Sequence, residues 1–531
     1  LQIDDALHRF LLRQQAAGRL PDAFLSHQPL SAYEAQRYLD SLDVRSATLP
    51  VLDQRLLARF RGEAGGPNAA WLQARIPFVY RNGQNLLSAS GDGFAVAVDP
   101  LLYLTYGRAR QTKRGEQTSG ATLWQNTRGA RAAGHIGKYV FFEARLEENQ
   151  RRDVRVDFGQ ETAPRLGSVQ LLEDSQAYDY WVWTGVAGVR SRFFEVRFGR
   201  DRNQWGFGRT SLVLSDYAPA YNQLQLRTSF WRVQYVNLFA ALTDLSPFGD
   251  TFRDQILPKK YAAMHRLAIN LPGRVQLELF ETIIFATDTT GAQRRSNFDL
   301  DYLNPVIFYR AVEADRGSPD NALLGGGLAW TARPGLRLYT QLLIDELTVG
   351  EIGKASWVNK WGWQVGAAVA DVLVPGLSFQ VEYVRQRPYL YSHRSRLTGH
   401  THFNDLLGHP AGPNSSDVAL FVDWQATPRW RGALNVAYTR RGRNTDSLNY
   451  GADPLVDYNS RVSDDNITLL QGVRQNRLLV EAYAGYELLP GLTLEAALRA
   501  ESTDDAETGL DRYLAPFVML RWGLPFQSVR Y

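Results

Sequence analysis

Cysteine is absent from all 531 residues. Its absence excludes disulfides, thiolate metal sites, a cysteine nucleophile and an N-terminal lipid-modified cysteine. Long apolar runs are missing too. None approaches the ~18 residues that a membrane-spanning helix needs, and the mean hydropathy of −0.31 is far too polar for a bundle of such helices. No charge sign dominates: 59 basic residues face 55 acidic ones, a net +4. A balance that close gives no electrostatic footprint for nucleic acid. Catalytic signatures are lacking as well: there is no G-x-S-x-G, no H-E-x-x-H and no phosphate-binding loop. A hydrolase would have to assemble Ser, His and Asp from distant segments, which one sequence leaves open.

What is present is a recurring turn. Leu271-Pro272-Gly273, Arg333-Pro334-Gly335, Val374-Pro375-Gly376 and Leu489-Pro490-Gly491 return through the C-terminal half, with Thr427-Pro428-Arg429 as a variant. Proline presets the first φ of such a turn and glycine accepts φ > 0 at the next position. Between the turns, apolar and polar residues alternate. Val140, Phe142, Ala144 and Leu146 oppose Phe141, Glu143 and Arg145. Phe194, Val196 and Phe198 oppose Glu195 and Arg197. Leu478, Val480, Ala482, Ala484, Tyr486 and Leu488 oppose Glu481, Tyr483 and Glu487; Leu492, Leu494, Ala496 and Leu498 oppose Thr493, Glu495 and Arg499; Leu514, Val518, Leu520, Trp522 and Leu524 oppose Phe517, Met519 and Arg521. Arg81-Asn82-Gly83 reads as a hairpin-type turn.

A soluble sandwich alternates as well, but these runs continue for about ten residues and no second core appears between them. The length exceeds what one soluble core holds, whereas a barrel grows by adding strands. Aromatics make up 12% of the chain, with 13 Trp and 25 Tyr, and the chain closes on Tyr531. The reading is all-β: a transmembrane antiparallel β-barrel of ~16–20 strands, 18 being the best single value, wired by short turns at one end and long connections at the other. The absence of cysteine suits a chain that crosses an oxidising periplasm unfolded. The sequence starts at Leu1 without a signal segment, so this reading takes it as the processed form.

Residues 1–70 follow a different period. Ile3, Leu7, Phe10 and Leu11 are spaced as on a helix, with Gly18 as a stop. Ser31-Ala32-Tyr33-Glu34 is a capping box leading into Tyr38, Leu39 and Leu42. Leu52, Leu56 and Phe60 form a third stripe after Pro50. Three short amphipathic helices are expected here, packed on one another or on the barrel rim, because alone they are too short to be stable. After Gly65-Gly66-Pro67 the period changes to two, so residues 71–531 are assigned to the barrel.

The densest polar cluster runs from Phe198 to Arg209 and continues through Ser215-Asp216-Tyr217-Ala218-Pro219. Asp201, Asn203 and Gly206 faintly resemble a calcium loop, but Leu212 stands where its bidentate glutamate belongs. Arg, Asn, Gln and Trp together suit a sugar, since planar amides and guanidinium groups pair with hydroxyls and an aromatic stacks on C–H. The plainer alternative is a glycine-rich loop folded into the lumen with its polar groups satisfied internally. His393, His400, His402 and His409 crowd one connection; no Cys or Asp/Glu pattern completes a metal site, and an ordered surface loop is the favoured reading. Inward Arg145, Arg197, Arg499 and Arg521 are expected to pair across the lumen with Glu143, Glu195, Glu481 and Glu495 rather than to line an anion path.

Several of these segments resemble the Wzi-like capsule-assembly outer-membrane proteins, relatives from gliding bacteria included. The start from Leu7-His8-Arg9-Phe10 to Gly18 and Gln28-Pro29-Leu30-Ser31 is similar to the family's helical start. Gly199-Arg200-Asp201 through Trp205-Gly206-Phe207-Gly208 and Leu214-Ser215-Asp216 is similar to its central motif. Asp301-Tyr302-Leu303-Asn304-Pro305-Val306 and Gly408-His409-Pro410 through Gly412-Pro413-Asn414 are two more. Each is short, and their order along the chain strengthens the likeness.

The resemblance implies a barrel with a small periplasmic helical bundle and long extracellular loops, in a bacterial outer membrane. It also implies a lectin-like, non-enzymatic role that holds capsular or other surface polysaccharide. Trp205, Arg209, Tyr217, Tyr221 and Asn222 are the expected sugar contacts. No catalytic residue, metal or cofactor is expected. Outer-membrane lipid and other envelope proteins are the remaining partners, and nucleic acid is not one. The alternatives are a porin-like transport channel and a structural subunit of a motility, secretion or surface-filament machine.

Overall fold

The computed structural model describes residues 5–62, 67–114, 116–153, 162–163, 167–168, 170–172, 177–245, 257–286, 298–306, 309 and 320–525. Ile3, Gly65, Gly66 and Tyr531 lie outside the described residues. Eighteen strands form one closed antiparallel barrel. Closure comes from the first long strand, Phe94–Lys113, pairing with the last, Gly509–Trp522, with Leu102 opposite Trp522. Among the described residues no helix is long and apolar enough to cross a membrane. The chain crosses by strands, as an outer-membrane barrel does.

The recurring turns all fall at one end. Gly273, Gly335, Gly376 and Gly491 adopt φ of 78°, 90°, 82° and 79°, conformations that a β-carbon would strain. At the other end, long connections span residues 202–220, 347–359, 387–414 and 444–472, while those around residues 114 and 507 are short.

Strand periodicity sorts the wall into two faces. Outward side chains are apolar and uncovered: Phe198 is 69% exposed and Val518 54%. The inward face carries ion pairs, and here the structure corrects the expectation of pairing across the lumen. Arg227 bonds Glu195 at 2.6 Å and Arg499 bonds Glu481 at 2.9 Å, both between register partners on adjacent strands. Arg131 pairs with Glu143 at 2.8 Å and Arg521 with Glu495 along the same wall. Neighbouring strands bring side chains within about 5 Å, whereas the opposite wall of so wide a barrel lies out of reach.

Among the described residues four α-helices precede the barrel. α1 (Ala6–Ala16) is capped by Asp5, whose carboxylate accepts from the His8 N–H at 2.7 Å. α2 (Ala32–Asp43) is capped by Ser31, which accepts from the Glu34 N–H at 3.2 Å. α3 (Val51–Phe60) follows Pro50. Phe10, Leu11, Leu39, Leu42, Leu56 and Leu57 form their shared core. A fourth helix, α4 (Pro67–Arg75), occupies the stretch where alternation was expected to begin. Pro67 opens it at the first helical position, where its missing N–H costs nothing, and alternation starts only at Leu87.

The helices cap the short-turn end of the barrel. The Gly335 N–H donates to the Ala16 carbonyl at 2.9 Å, Arg13 bonds Asp371 at 2.7 Å, and Arg59 bonds Glu487.

Candidate functional site in the filled lumen and its loops

Three segments far apart in sequence meet inside the barrel. His27–Gln28 forms a two-residue antiparallel ladder with Gln204–Trp205, and the Gly206 N–H donates to the Ser26 carbonyl at 2.8 Å. The leader enters from the short-turn end while the loop after Asp201 descends from the other. A third segment, 387–414, packs on the loop. The Ser215 N–H donates to the Leu407 carbonyl at 2.6 Å, the Tyr391 hydroxyl to the Leu212 carbonyl at 2.7 Å, and the Ser215 hydroxyl to the Gly408 carbonyl at 2.6 Å. Three of the four motif segments singled out in the sequence are thus one structural unit.

Glycine makes that packing possible. A β-carbon on Gly206, where φ is +135°, would stand 2.9 Å from Gln341 Nε2; one on Gly208 would stand 2.7 Å from Gln364 Nε2, and one on Gly408 2.4 Å from the Leu212 carbonyl. The loop's polar groups are answered by wall side chains. Gln341 accepts from the Leu212 N–H at 2.7 Å, and Glu382 accepts from the Thr210 hydroxyl at 2.8 Å. Asn203, fully buried, donates to Gln223 at 2.6 Å and accepts from Gln225 at 3.1 Å. Around them Trp205, Leu212, Val213, Leu214, Tyr391 and Leu407 join inward Val236, Leu238, Met264 and Phe280 in one apolar core. The lumen is therefore filled by side chains at this level, and the loop follows the internally satisfied alternative except at Trp205 Nε1, which is buried without a hydrogen-bond partner among the described residues.

The histidine-rich connection is a buried loop, which corrects the surface assignment. His400 Nε2 lies 2.7 Å from the Val213 carbonyl, and its ring stacks on Tyr391 at 5.6 Å. His402 Nδ1 accepts from the Thr243 N–H at 3.0 Å. Burial pushes His400 down to about 4 and His402 down to about 3, so both rings are neutral. Among the described residues no group of three His, Cys, Asp or Glu is arranged to hold a metal. The residues that faintly resemble a calcium loop face other tasks: Asp201 accepts from Arg197 at 3.1 Å and Asn203 serves the loop.

The five expected sugar contacts are split. Trp205 and Tyr221 are buried in the lumen, where Tyr221 accepts from Asn203 at 3.1 Å and meets the His402 ring edge-on at 5.8 Å. Arg209 reaches Asp423 and Gln380, the latter at 3.3 Å, at the roof of a cleft of ≈ 110 Å³. That cleft lies between α1 and the wall and is also lined by Arg9, Phe10 and Arg431. Tyr217 is half-buried on the loop, and Asn222 is exposed on the outward face of its strand.

Sequence reasoning missed a second cluster at the long-connection end. The Arg461 guanidinium lies 3.9 Å above the Trp357 ring, and Trp357 meets Tyr458 at 4.9 Å. The three side chains are half-buried, so each keeps an accessible side. The signal was two aromatic residues and an arginine in long connections, but about a hundred residues separate them in sequence.

Comparisons with known proteins agree on the architecture. The model of a family described as "Capsule assembly protein Wzi" matches residues 126–507. No curated protein sequence matches. Among solved structures the chain is similar to Wzi, an outer membrane protein involved in group 1 capsule assembly in Escherichia coli and described as a carbohydrate-binding β-barrel. The two are 13% identical, the TM-score is 0.55, and 99% of this chain and 100% of that one are covered. More remote are OpdO (11% identity, TM-score 0.43, 80% and 96% covered) and OpdQ (9%, 0.43, 81% and 98%), both from Pseudomonas aeruginosa.

Proposed function

The chain belongs to the capsule assembly protein Wzi family, and from that premise we propose that this outer-membrane barrel holds capsular or other surface polysaccharide at the cell exterior, as a lectin-like scaffold without chemistry of its own. The helices 6–75 then stand in the periplasm and the long connections outside the cell. The observation that carries the reading is the filled lumen: with the interior given over to plug and core, the accessible polar surface lies on the connections.

Trp357, Tyr458 and Arg461 offer the combination a sugar needs, aromatic surface for C–H stacking beside a planar donor: Arg461 covers one face of Trp357 and spends its Nε on Asp464, and the rings' other sides and the remaining guanidinium N–H groups are what a sugar would meet. Of the five residues expected from sequence, Tyr217 keeps an accessible side on its loop, and Asn222 is exposed on the outward face of its strand. Trp205, Tyr221 and Arg209 act beneath Tyr217, shaping the loop on which it sits.

The test is retention of polysaccharide on immobilised protein. Purified surface polysaccharide should bind the parent protein, and the Trp357→Ala, Tyr458→Ala double variant should bind about tenfold more weakly, taking about 0.5–1.5 kcal/mol for each stacked ring. Equal retention by both, or by neither, would sink the assignment.

A further inference from the structure

The outward face of a lipid-facing strand should end its apolar run where the hydrocarbon ends. On Phe94–Lys113 the outward residues run Leu102, Leu104, Tyr106 and then Arg108 and Arg110. On the adjacent Gly509–Trp522 they run Val518, Pro516, Leu514 and then Arg512. Register places Arg110 opposite Leu514 and Arg512 opposite Thr112, so the two arginines are diagonal neighbours. Diagonal neighbours lie about 7–8 Å apart, and Arg108 and Arg110 are two positions apart, about 7 Å along the strand. Tyr106, 67% exposed, sits opposite Trp124 on the third strand, an aromatic pair just below the arginines.

All three arginines are exposed, and among the described residues none bonds a carboxylate. Asp504, an outward acid diagonal to Arg512, is taken by Arg474 at 3.3 Å. Lower on the wall the outward Arg128 does have a partner, Glu148 at 3.4 Å. Three like charges side by side repel one another, and long side chains at this height carry their heads into the interfacial layer. Phosphate is the anion found there, and arginine's planar fork matches it.

We infer that Arg108, Arg110 and Arg512 form a docking site for the phosphate groups of a phosphorylated glycolipid in the outer leaflet. The site holds one lipid against the closing seam of the barrel, between its first and last strands. The leaflet follows from the orientation proposed above; the charge argument does not.

The probe is diphosphorylated lipid A, titrated into the detergent-solubilised parent protein and followed by native mass spectrometry. The parent should retain it, and the R108Q/R110Q/R512Q variant should bind at least tenfold more weakly. Dephosphorylated lipid A should bind the parent as weakly as diphosphorylated lipid A binds the variant, and millimolar inorganic phosphate should not compete, because the acyl chains contribute to binding at this wall. Undiminished binding by the triple variant, or by the dephosphorylated lipid, overturns the site. Should the triple variant not fold, the dephosphorylated-lipid arm on the parent protein decides. R128Q serves as the outward control and should bind like the parent. Labelling of a Lys354→Cys variant on intact cells tests orientation separately: an unlabelled surface with intact lipid binding removes the leaflet and leaves the site.

Discussion

Arg227 shows how much rests on single inward side chains. It bonds Glu195 from the neighbouring strand and Glu34 from α2, so one guanidinium ties the leader to the wall. Removing it strands two buried carboxylates, a change that costs about 3–5 kcal/mol. Arg227→Ala should therefore lower the thermal midpoint in detergent well beyond the change seen for an exposed arginine such as Arg440→Ala. His400 and His402 make a second prediction at this scale. Their folded values lie below the ordinary 6.5 because burial disfavours the charged ring. A depressed folded value contributes stability above the unfolded one and loses it as pH falls through about 6.5 toward about 4. Protection of the Thr401 and Phe403 amides, taken as the intrinsic exchange rate at each pH divided by the observed one, should fall between about pH 7 and pH 4.5, and His400→Gln should flatten the change.

At the scale of elements, the ladder between the leader and the descending loop is the contact most open to direct test. Gln28 faces Gln204 in register, and register partners have Cα atoms about 4.5–5.5 Å apart, within disulfide range. The chain has no cysteine of its own, so a Gln28→Cys, Gln204→Cys pair has a single product. It should oxidise spontaneously in the periplasm and be seen as a mobility shift on non-reducing gels; a pair that stays reduced after oxidant treatment contradicts the ladder. The elements themselves were largely legible. Pro-Gly turns fixed one end of the barrel, the capping box at Ser31 fixed the start of α2, and alternation assigned the inward and outward faces of the strands from Val140, Phe194, Leu478, Leu492 and Leu514. Pro67–Arg75 was not legible as a helix, because a single proline after two glycines marks a boundary without saying which period follows it.

For the molecule as a whole, the consequence of a filled interior is electrical. A barrel of 18 strands has room for an aqueous channel, but here the helices close one end and the loops 202–220 and 387–414 fill the middle with apolar and hydrogen-bonded side chains. In a planar bilayer the protein should show no steady conductance at either polarity; a stable open current would favour the transport reading over the scaffold. The sequence by itself determined the barrel, its approximate size, the end that carries the tight turns and the helical character of the leader. Each of these follows from local rules of periodicity and turn chemistry, which act between residues close in the chain. Only the tertiary structure decided that the ion pairs run along the wall, that the histidine-rich connection is buried, that Trp205 faces His27 and that Trp357 meets Tyr458 and Arg461. Those contacts join residues on different strands and loops, and their partners are set by how the strands pair and the loops fold inward, a relation that no local pattern encodes.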